Sequence, residues 1–383
     1  MTAAPTATWS YPTAIRFGPG RIRELAEACA EAGIQRPLLV TDRGLAGAPI
    51  TETALDVLTG AGLSPGLFAQ VDPNPTEENL ERGIAAFTGG SHDGVVGFGG
   101  GSALDLGKMV AFMAGQTRPV WDFEDVDDWW TRADRSAIRP SVAVPTTAGT
   151  GSEVGRASVL TQTDTRRKKI IFHPEVLPRV VICDPSLTVG LPPALTAGTG
   201  MDALAHAIEA YSSPHYHPMS QGIALEAMRL VFVNLPRVMA DPGDVGARGH
   251  MMSAALMGAV GFQKGLGAVH ALSHPIGALY DTHHGTTNAT LLAPVLRLNR
   301  PAIDDRLRQA SAYCGLGDGA ESLVAAVENL CTTLGMPATL GALGVAQPDR
   351  AAIIEGALAD PSAGGNPVPL TAQNLNDILD AVI

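Results

Sequence analysis

The sequence has little charge for its length. Only 17% of its 383 residues are charged, whereas about a quarter is usual in globular proteins. Hydrophobic residues make up 45% of the chain, which predicts a compact protein with much buried surface. The charge that is present is acidic in balance, with a net charge of −12 at pH 7. Such a chain is not expected to bind nucleic acid or an anionic membrane surface.

Cysteines are few and long apolar runs are missing. The cysteines lack the pairwise spacing of disulfides or metal clusters, which predicts reduced thiols in a cytoplasmic protein; they are Cys29, Cys183, Cys314 and Cys331. No apolar run approaches the roughly 20 residues that a membrane-spanning helix needs. The first residues, MTAAPTATWSYP, contain no basic stretch before an apolar block, so no secretory signal is expected.

The first half of the chain alternates strand and helix patterns. Helical patterns such as Arg21–Ala32 and Glu77–Phe87 separate short apolar segments, and this alternation predicts a parallel sheet with flanking helices. The predicted strands are Leu38–Thr41, Leu67–Val71, Gly94–Phe98, Val142–Val144 and Val180–Cys183. Trp9–Phe17 is interpreted as an edge strand or as an arm that pairs with another subunit. Trp121–Trp130 is interpreted as a surface loop, with a ligand lid as the alternative.

Strand patterns nearly vanish after Asp184-Pro185. Long stretches rich in Ala, Leu and Met follow, which predicts an all-helical second half. The predicted helices are Met201–Ser212, Met219–Leu235, Ala247–Phe262, Ile303–Tyr313 and Glu321–Leu334. We therefore expect an α/β domain over residues 1–187 and a helical domain over residues 188–383, because 383 residues exceed one usual core.

Three glycines follow the predicted strand Gly94–Phe98 directly. The sequence Gly99-Gly100-Gly101-Ser102 then leads into a helical pattern that contains Asp105 and Lys108. Glycines allow a phosphate to approach the backbone, and a helix N-terminus offers free N–H groups. The context predicts phosphate binding, although the spacing is not GxGxxG and a tight packing turn remains the alternative.

Asp42 ends the predicted strand LLVTD. A carboxylate there can accept hydrogen bonds from an adenosine ribose and would repel a 2′-phosphate, although the adjacent Arg43 weakens that repulsion. By position alone an Asx turn or helix cap is the commoner role. A loop rich in small hydroxyl residues, Pro145–Glu153, follows another predicted strand. Its side chains suit a pyrophosphate or an amide, or serve as an ordinary turn and cap.

One carboxylate and several imidazoles form a candidate metal site. Asp202 and His206 lie four residues apart and share one face of a helix. His270 and His274 repeat this spacing, and His283 competes with His284 for one further ligand position. A His-rich site with one carboxylate suits Fe²⁺ or Zn²⁺ better than Mg²⁺ or Ca²⁺. Glu209 is predicted to orient an imidazole or to be a buried partner.

These motifs, taken in order, resemble the iron-containing, metal-dependent alcohol dehydrogenases over nearly the full chain. The matching segments are FGPG at Phe17–Gly20, the end of the Asp42 strand, DPNPT at Asp72–Thr76, GGGSALDLGK at Gly99–Lys108, PTTAGTGSEV at Pro145–Val154, GMDALAHAIEAY at Gly200–Tyr211 and VHALSHPIGALYDTHHG at Val269–Gly285. The resemblance implies a dinucleotide-binding α/β domain, a helical metal-binding domain, a cleft between them and a homodimer.

The resemblance also implies roles for individual residues. It assigns the metal, Fe²⁺ with Zn²⁺ as the alternative, to Asp202, His206, His270 and His284, and it places His274 near the nicotinamide as a catalytic proton relay. The residues that it assigns to NAD are Asp42, Asn74, Gly99, Gly100, Gly101, Ser102, Asp105, Thr146, Thr147 and Lys168. The implied reaction is hydride transfer between nicotinamide C4 and a small alcohol or aldehyde.

Two segments depart from the family pattern. Gly155-Arg156 follows the motif GTGSEV, and Gln263-Lys264 precedes the His270 helix, where uncharged or small residues are usual. We hypothesise that Arg156, Lys264 or both bind an anionic substrate tail, as in 4-hydroxybutyrate or succinic semialdehyde. Surface cations or salt-bridge partners are the alternative.

Two other functions use the same fold. A metal-dependent lyase similar to dehydroquinate synthase would bind a phosphorylated substrate through many Lys and Arg residues, and the helical half here is poor in lysine. A binding protein that has lost catalysis is the third hypothesis, and the filled ligand positions argue against it.

Overall fold

The computed structural model describes residue 11 and residues 13–383. Contacts within the chain divide it into two compact units. An α/β unit contains Pro12–Thr147 and Gly151–Leu191, and a helical unit contains Ala148–Thr150 and Pro192–Ile383. Among the described residues no helix is both long and apolar enough to cross a membrane.

The α/β unit is built on a six-stranded parallel sheet. The strands of this unit, including two outside the parallel sheet, are β1 (Ala14–Phe17), β2 (Pro37–Asp42), β3 (Gly66–Val71), β4 (Gly94–Gly99), β5 (Ser141–Pro145), β6 (Ala157–Gln162), β7 (Arg167–Phe172) and β8 (Val180–Cys183). The sheet order is β1-β8-β5-β4-β2-β3, and β6 and β7 form a separate antiparallel pair. Every residue of β4 and β5 is buried, as expected for central strands that are covered on both faces.

Four helices accompany this sheet: α1 (Leu25–Glu31), α2 (Pro49–Gly60), α3 (Glu77–Gly89) and α4 (Gly101–Met113). Helix α3 begins with a capping box, in which Thr76 and Asn79 each accept a hydrogen bond from the other's backbone N–H. Helix α4 is buried over Leu106–Met113, because it packs against β4 and carries apolar or small side chains around most of its surface. The sheet therefore fixes the N-terminus of α4 directly after β4.

The five predicted strands are confirmed with small differences at their ends. Of the segment Trp9–Phe17, the residues Ala14–Phe17 form an edge strand that pairs with β8, whereas Trp9, Ser10 and Pro12 lie outside the described residues. The hairpin of β6 and β7 was missed, because its strands are only partly buried and β7 begins with the charged run Arg167-Lys168-Lys169.

The acidic and aromatic insertion Trp121–Trp130 is anchored to β7. Phe123 is fully buried, Asp125 N–H donates to Ile170 O at 2.8 Å, and Lys169 Nζ lies 2.7 Å from Glu124 Oε2. These contacts agree with the prediction of a surface loop that packs on the first half of the chain.

The helical unit contains no strand among its described residues. Its helices are α5 (Pro193–Ser212), α6 (Pro218–Ala240), α7 (Val245–Gly261), α8 (Ala268–Tyr280), α9 (His284–Tyr313), α10 (Ala320–Thr333), α11 (Arg350–Ala359) and α12 (Ala372–Val382). From Met201 to Ser212 every residue of α5 is buried. Because α5 packs against α6, α7 and α9, polar side chains on α5 must find their partners inside the unit.

A buried polar network fixes the segment between β5 and β6. Lys108 on α4 is buried and donates to the carbonyls of Ser152 and Ala157. Glu153, in the same segment, is only 3% exposed. Burial raises the pKa of the Glu153 carboxyl to about 7, since a low-dielectric environment disfavours its charged form.

We expect Glu153→Gln to stabilise the protein at alkaline pH but not at acidic pH. The folded pKa of about 7 lies above the ordinary value of 4.5, so stability from this group is complete below about pH 4.5 and is lost as pH rises through about 7. Glutamine stays neutral and avoids this loss, which should raise the free energy of unfolding at pH 8 by about 1–3 kcal/mol. Urea denaturation at pH 5 and pH 8 measures the difference. The exposed Glu81→Gln is the control, and equal effects of both substitutions would contradict the prediction.

Candidate active site

The carboxyl end of β4 forms a glycine turn that leads into α4. Gly99 has φ = +143°, and a Cβ there would lie 2.8 Å from Ala103 Cβ, so both backbone and space require glycine. Gly100 precedes α4, and no side chain caps the helix. The N–H groups of its first turn, which includes Gly101 and Ser102, suit an anion such as a phosphate. The Ser102 hydroxyl itself donates to Pro73 O.

The end of β5 lies beside this turn because β4 and β5 are parallel neighbours. Thr146 N–H donates to Gly99 O at 2.9 Å. A Cβ on Gly100 would lie 3.4 Å from Thr147 Cγ2. The structure thus brings together the two threonines and the glycine turn at one sheet edge, as the sequence analysis expects.

Asp42 stabilises the turn that follows β2. Its Oδ1 accepts hydrogen bonds from Gly44 N–H at 2.8 Å and Leu45 N–H at 3.1 Å, which is an Asx turn. Its Oδ2 lies 3.6 Å from the Cβ position of Gly99. The turn therefore holds the carboxylate with one oxygen towards the glycine turn. The neighbouring Arg43 has its Nε 3.6 Å from Asp72 Oδ1, so a carboxylate other than Asp42 pairs with it.

Three further residues expected at the cofactor lie on separate segments of the α/β unit. Asn74 follows Pro73, whose carbonyl accepts the Ser102 hydroxyl, so it lies near the start of α4. Lys168 lies on β7 opposite Thr161. The carboxylate of Asp105 accepts hydrogen bonds from Ser152 Oγ and Val159 N–H. These bonds tie α4 to the segment after β5, and the contact of Asp105 with the cofactor stays a prediction.

Three helices bring the proposed metal ligands together inside the helical unit. Asp202 and His206 lie on α5, His270 lies on α8, and His284 begins α9. The Nε2 atoms of these histidines lie 3.8 Å, 3.9 Å and 3.6 Å, respectively, from Asp202 Oδ1. A tetrahedral ion with bonds of about 2.1 Å separates its ligand atoms by about 3.4 Å. The first three residues form a cluster whose ligand atoms all lie within 4.8 Å of one another, and His284 Nε2 adds a further nitrogen beside Asp202. The donor types suit a divalent metal ion.

The protein fixes the orientation of these imidazoles. Glu209 contacts His270 Nδ1 with one carboxylate oxygen and accepts Val269 N–H at 2.7 Å with the other. This is the contact that the sequence analysis predicts for Glu209, and it leaves His270 Nε2 for a metal. Although burial alone would lower it, the pKa of His270 is raised by the Glu209 and Asp202 carboxylates. Burial lowers the pKa of His206 to about 4, so its imidazole is neutral and can bind a metal at neutral pH.

His274 and His283 stand outside the ligand set. His274 Nδ1 lies 2.8 Å from Asp360 Oδ2, and its ring stacks on that of His284 at 5.5 Å between centroids. His283 accepts Thr286 N–H and caps α9. In each pair of candidate ligands, one histidine therefore faces Asp202, namely His270 in the first pair and His284 in the second. The other two, His274 and His283, contact Asp360 and Thr286.

Two further residues of this site are not among those expected from the sequence. Asn288 Nδ2 lies 2.7 Å from Asp202 Oδ1, and Asp360 contacts His274. Asn288 follows His284 by four residues, so helical spacing is a signal that could have found it. Asp360 is 86 residues from His274 in sequence, and no local pattern connects them.

Lys264 requires a correction. Its side chain is 2% exposed, and its Nζ donates to the carbonyls of Tyr211 at 3.1 Å and Ser213 at 2.7 Å. These carbonyls lie at the end of α5, where cations satisfy the free C=O groups and the helix dipole. Burial lowers the pKa of Lys264 to about 7. We therefore assign it to capping α5 and no longer to an anionic substrate tail.

Arg156 lies beside an aromatic ring in the α/β unit. It is half-buried in the α/β unit, and its guanidinium lies 5.4 Å from the centre of the Phe172 ring. The nearby Arg156 charge lowers the pKa of Asp125, although burial raises it more.

Comparisons with known proteins decide the family. The family model described as "Iron-containing alcohol dehydrogenase" matches residues 12–185. A second family model, described as "Fe-containing alcohol dehydrogenase family, C-terminal", matches residues 196–383. The chain belongs to the iron-containing alcohol dehydrogenase family. This membership makes the protein an oxidoreductase with the two-part fold described above, and it favours a dehydrogenase over a lyase or a non-catalytic binding protein.

Individual relatives of this iron-containing dehydrogenase match over nearly the whole chain. It is 39% identical to 4-hydroxybutyrate dehydrogenase from Cupriavidus necator over 97% of this chain and 98% of the relative. A crystal structure of 1,3-propanediol oxidoreductase matches with a TM-score of 0.92 at 37% identity and covers 98% of this chain and 99% of the other. Sulfoacetaldehyde reductase from Bifidobacterium kashiwanohense in complex with NAD⁺ matches with a TM-score of 0.87 at 29% identity, over 98% of each chain.

Glu209→Gln is expected to weaken metal binding without unfolding the protein. The substitution removes the anionic oxygen that orients His270, and the loss of such a partner raises the Kd for the metal about 10–100-fold. Competition of the metal-stripped protein against a chromogenic chelator gives the Kd for Zn²⁺. Glu226→Gln, which removes a carboxylate that pairs with Arg229 on α6, is the control and should leave the Kd unchanged. Identical Kd values for the two variants would contradict the prediction.

Proposed function

We propose that this dehydrogenase transfers hydride between NAD(H) and a small primary alcohol or aldehyde at a metal centre formed by Asp202, His206, His270 and His284. The observation that carries the proposal is the convergence of three imidazole Nε2 atoms on one oxygen of a buried carboxylate. A divalent metal bound there supplies a Lewis acid for the alcohol or carbonyl oxygen of the substrate. We propose Fe²⁺ as this metal, on the strength of the family, with Zn²⁺ as the alternative because imidazole suits both.

His274 is proposed to move the proton of the reaction. Oxidation of an alcohol releases a hydride from carbon and a proton from oxygen, so a group that accepts the proton is required. Imidazole suits this task because it titrates near neutrality. Asp360, at 2.8 Å from His274 Nδ1, holds the ring with Nδ1 as the donor and leaves Nε2 to accept the proton. The stacking on His284 keeps this ring next to the proposed ligand set.

NAD is the proposed cofactor, with its pyrophosphate at the start of α4. The free N–H groups there, together with Thr146 and Thr147, suit a pyrophosphate. Asp42 would accept hydrogen bonds from the adenosine ribose and disfavour a 2′-phosphate. The Arg43 guanidinium lies 3.6 Å from Asp72, so a second carboxylate partly offsets the cation beside Asp42. Asn74, Asp105 and Lys168 remain proposed contacts of the cofactor. The sulfoacetaldehyde reductase that this chain resembles was solved with NAD⁺.

The wider setting of the enzyme is also a proposal. We place it in the cytoplasm, because the four cysteines are free in the structure, as in a reducing compartment. We propose a homodimer, for which β1, the edge strand of the sheet in the described part of the chain, offers a pairing edge. Residues 1–187 would serve as the NAD-binding domain and residues 188–383 as the metal and substrate domain.

An NAD-coupled assay of alcohols and aldehydes tests the proposed function. Metal-stripped protein should gain activity on addition of Fe²⁺ or Zn²⁺, and NADH should form in equal amount to the aldehyde. His284→Ala should lower kcat by about 10²–10³-fold, since an electrostatic contribution to the transition state is lost. His283→Ala removes the adjacent imidazole, which is outside the ligand set, and should retain most of the activity. Full activity of metal-stripped protein, or equal loss in both variants, would overturn the proposal.

The substrate is proposed to carry an anionic tail that Arg156 binds. The relative from Cupriavidus necator is named a 4-hydroxybutyrate dehydrogenase, and its named substrate is a short primary alcohol with a carboxylate. Arginine suits this group because its planar guanidinium can hold a carboxylate with two hydrogen bonds. The Phe172 ring below the guanidinium would restrict its orientation.

Arg156→Ala is expected to lower kcat/KM for 4-hydroxybutyrate about 10–100-fold, as for the loss of a hydrogen-bonded charge. Oxidation of 1-butanol, which lacks the carboxylate, should be almost unaffected. Steady-state kinetics of both substrates measure the ratio, and Arg167→Ala on the same hairpin is the matched control. Proportional losses on both substrates in Arg156→Ala would contradict the role in substrate choice while leaving the dehydrogenase assignment intact.

A further inference from the structure

Asn288 lies at the centre of the polar cluster in the helical unit. It is fully buried on α9, one turn after His284. Its Nδ2 lies 2.7 Å from Asp202 Oδ1, 3.2 Å from His284 Nε2 and 3.4 Å from His270 Nε2. A single amide nitrogen therefore contacts three of the four proposed metal ligands.

The chemistry of these neighbours determines which way the amide points. An ionised carboxylate only accepts hydrogen bonds, so the N–H₂ end and not the carbonyl must face Asp202. Of the three contacts of Nδ2, the one to Asp202 Oδ1 is the shortest, at 2.7 Å. A hydrogen bond to an anionic acceptor is also about twice as strong as one between neutral groups. The amide is therefore tied to the carboxylate, and it does not need the imidazole lone pairs as acceptors.

This orientation of the Asn288 amide costs free energy, so good packing alone does not account for an asparagine at this position. Asn288 Oδ1 is buried and has no hydrogen-bond partner among the residues that the structure describes. An unsatisfied buried acceptor costs about 1–3 kcal/mol, and a leucine of similar shape would avoid this cost. The presence of asparagine is accounted for by its N–H₂ group and the ligand atoms around it.

We infer that Asn288 is a positioning residue of the metal centre: its amide donates to Asp202 Oδ1 and holds that carboxylate in place beside His270 and His284. The inference rests on the metal site of the proposed function and adds a residue to it. Asn288 acts through the ligands and requires no contact of its own with the substrate.

Metal binding by Asn288→Leu tests this role, because leucine keeps the shape and removes the donor. The wild-type and variant proteins are stripped of metal, and the Kd for Zn²⁺ and Co²⁺ is measured by competition with a chromogenic chelator. We expect the Kd to rise about 10–100-fold and the visible absorption bands of bound Co²⁺ to change. Asn234→Leu is the matched control, since Asn234 is a buried asparagine on α6 that donates to Leu230 O at 2.8 Å. Its Kd and Co²⁺ spectrum should equal those of the wild type.

The outcomes separate this inference from the function on which it rests. Wild-type protein that binds no Zn²⁺ or Co²⁺ would overturn the proposed metal centre itself. Wild-type binding with an unchanged Kd and Co²⁺ spectrum in Asn288→Leu would overturn only the positioning role, as would a change in KM for the alcohol at unchanged metal affinity. Circular dichroism and thermal unfolding establish that the variants fold. If Asn288→Leu does not fold, Asn288→Ala is judged by the same Kd and spectrum.

Discussion

The helical unit depends on how the buried carboxylate of Asp202 is satisfied. The side chain is 2% exposed, and a buried charge without partners costs several kcal/mol. Its hydrogen-bond donor is the Asn288 amide on α9, and imidazole nitrogens from α5, α8 and α9 lie 3.6–3.9 Å from the same oxygen. Because no single helix provides these groups, the cluster forms only when the three helices pack together. The packing of the unit and the geometry of its proposed metal site therefore depend on each other.

In the α/β unit the main constraint is the backbone conformation at the start of α4. The glycine turn at Gly99 allows α4 to start directly after β4, and the absence of a side-chain cap leaves the N–H groups of α4 for a ligand. The carboxyl ends of parallel strands lie at one edge of a sheet, so Asp42, Gly99 and Thr146 follow neighbouring strands to that edge. This edge is where open α/β sheets bind their ligands. The proposed nucleotide site thus depends on backbone geometry, whereas the proposed metal site depends on side chains of the helical unit.

Much of this could be predicted from the sequence because the signals are local. Buried strands are apolar runs, and the pair Asp202 and His206 shows the spacing of one helical turn. The same spacing could not decide between His270 and His274, since the decision depends on Glu209 and the distant Asp360. Lys264 was misread for a similar reason, because nothing near it in sequence indicates that it caps α5. The partly buried hairpin of β6 and β7 gave too weak an alternation to be recognised.

The charges around the site favour a divalent ion as strongly as the ligand types do. Asp202 and Glu209 contribute two buried negative charges, one among the ligand atoms and one on the far side of His270. Imidazoles bind metals in their neutral form, so the set carries a charge of about −2, and a divalent cation neutralises it. His274 has a carboxylate partner of its own, since its Nδ1 lies 2.8 Å from Asp360 Oδ2. This contact fixes the ring that stacks on His284, which suits the proposed proton relay.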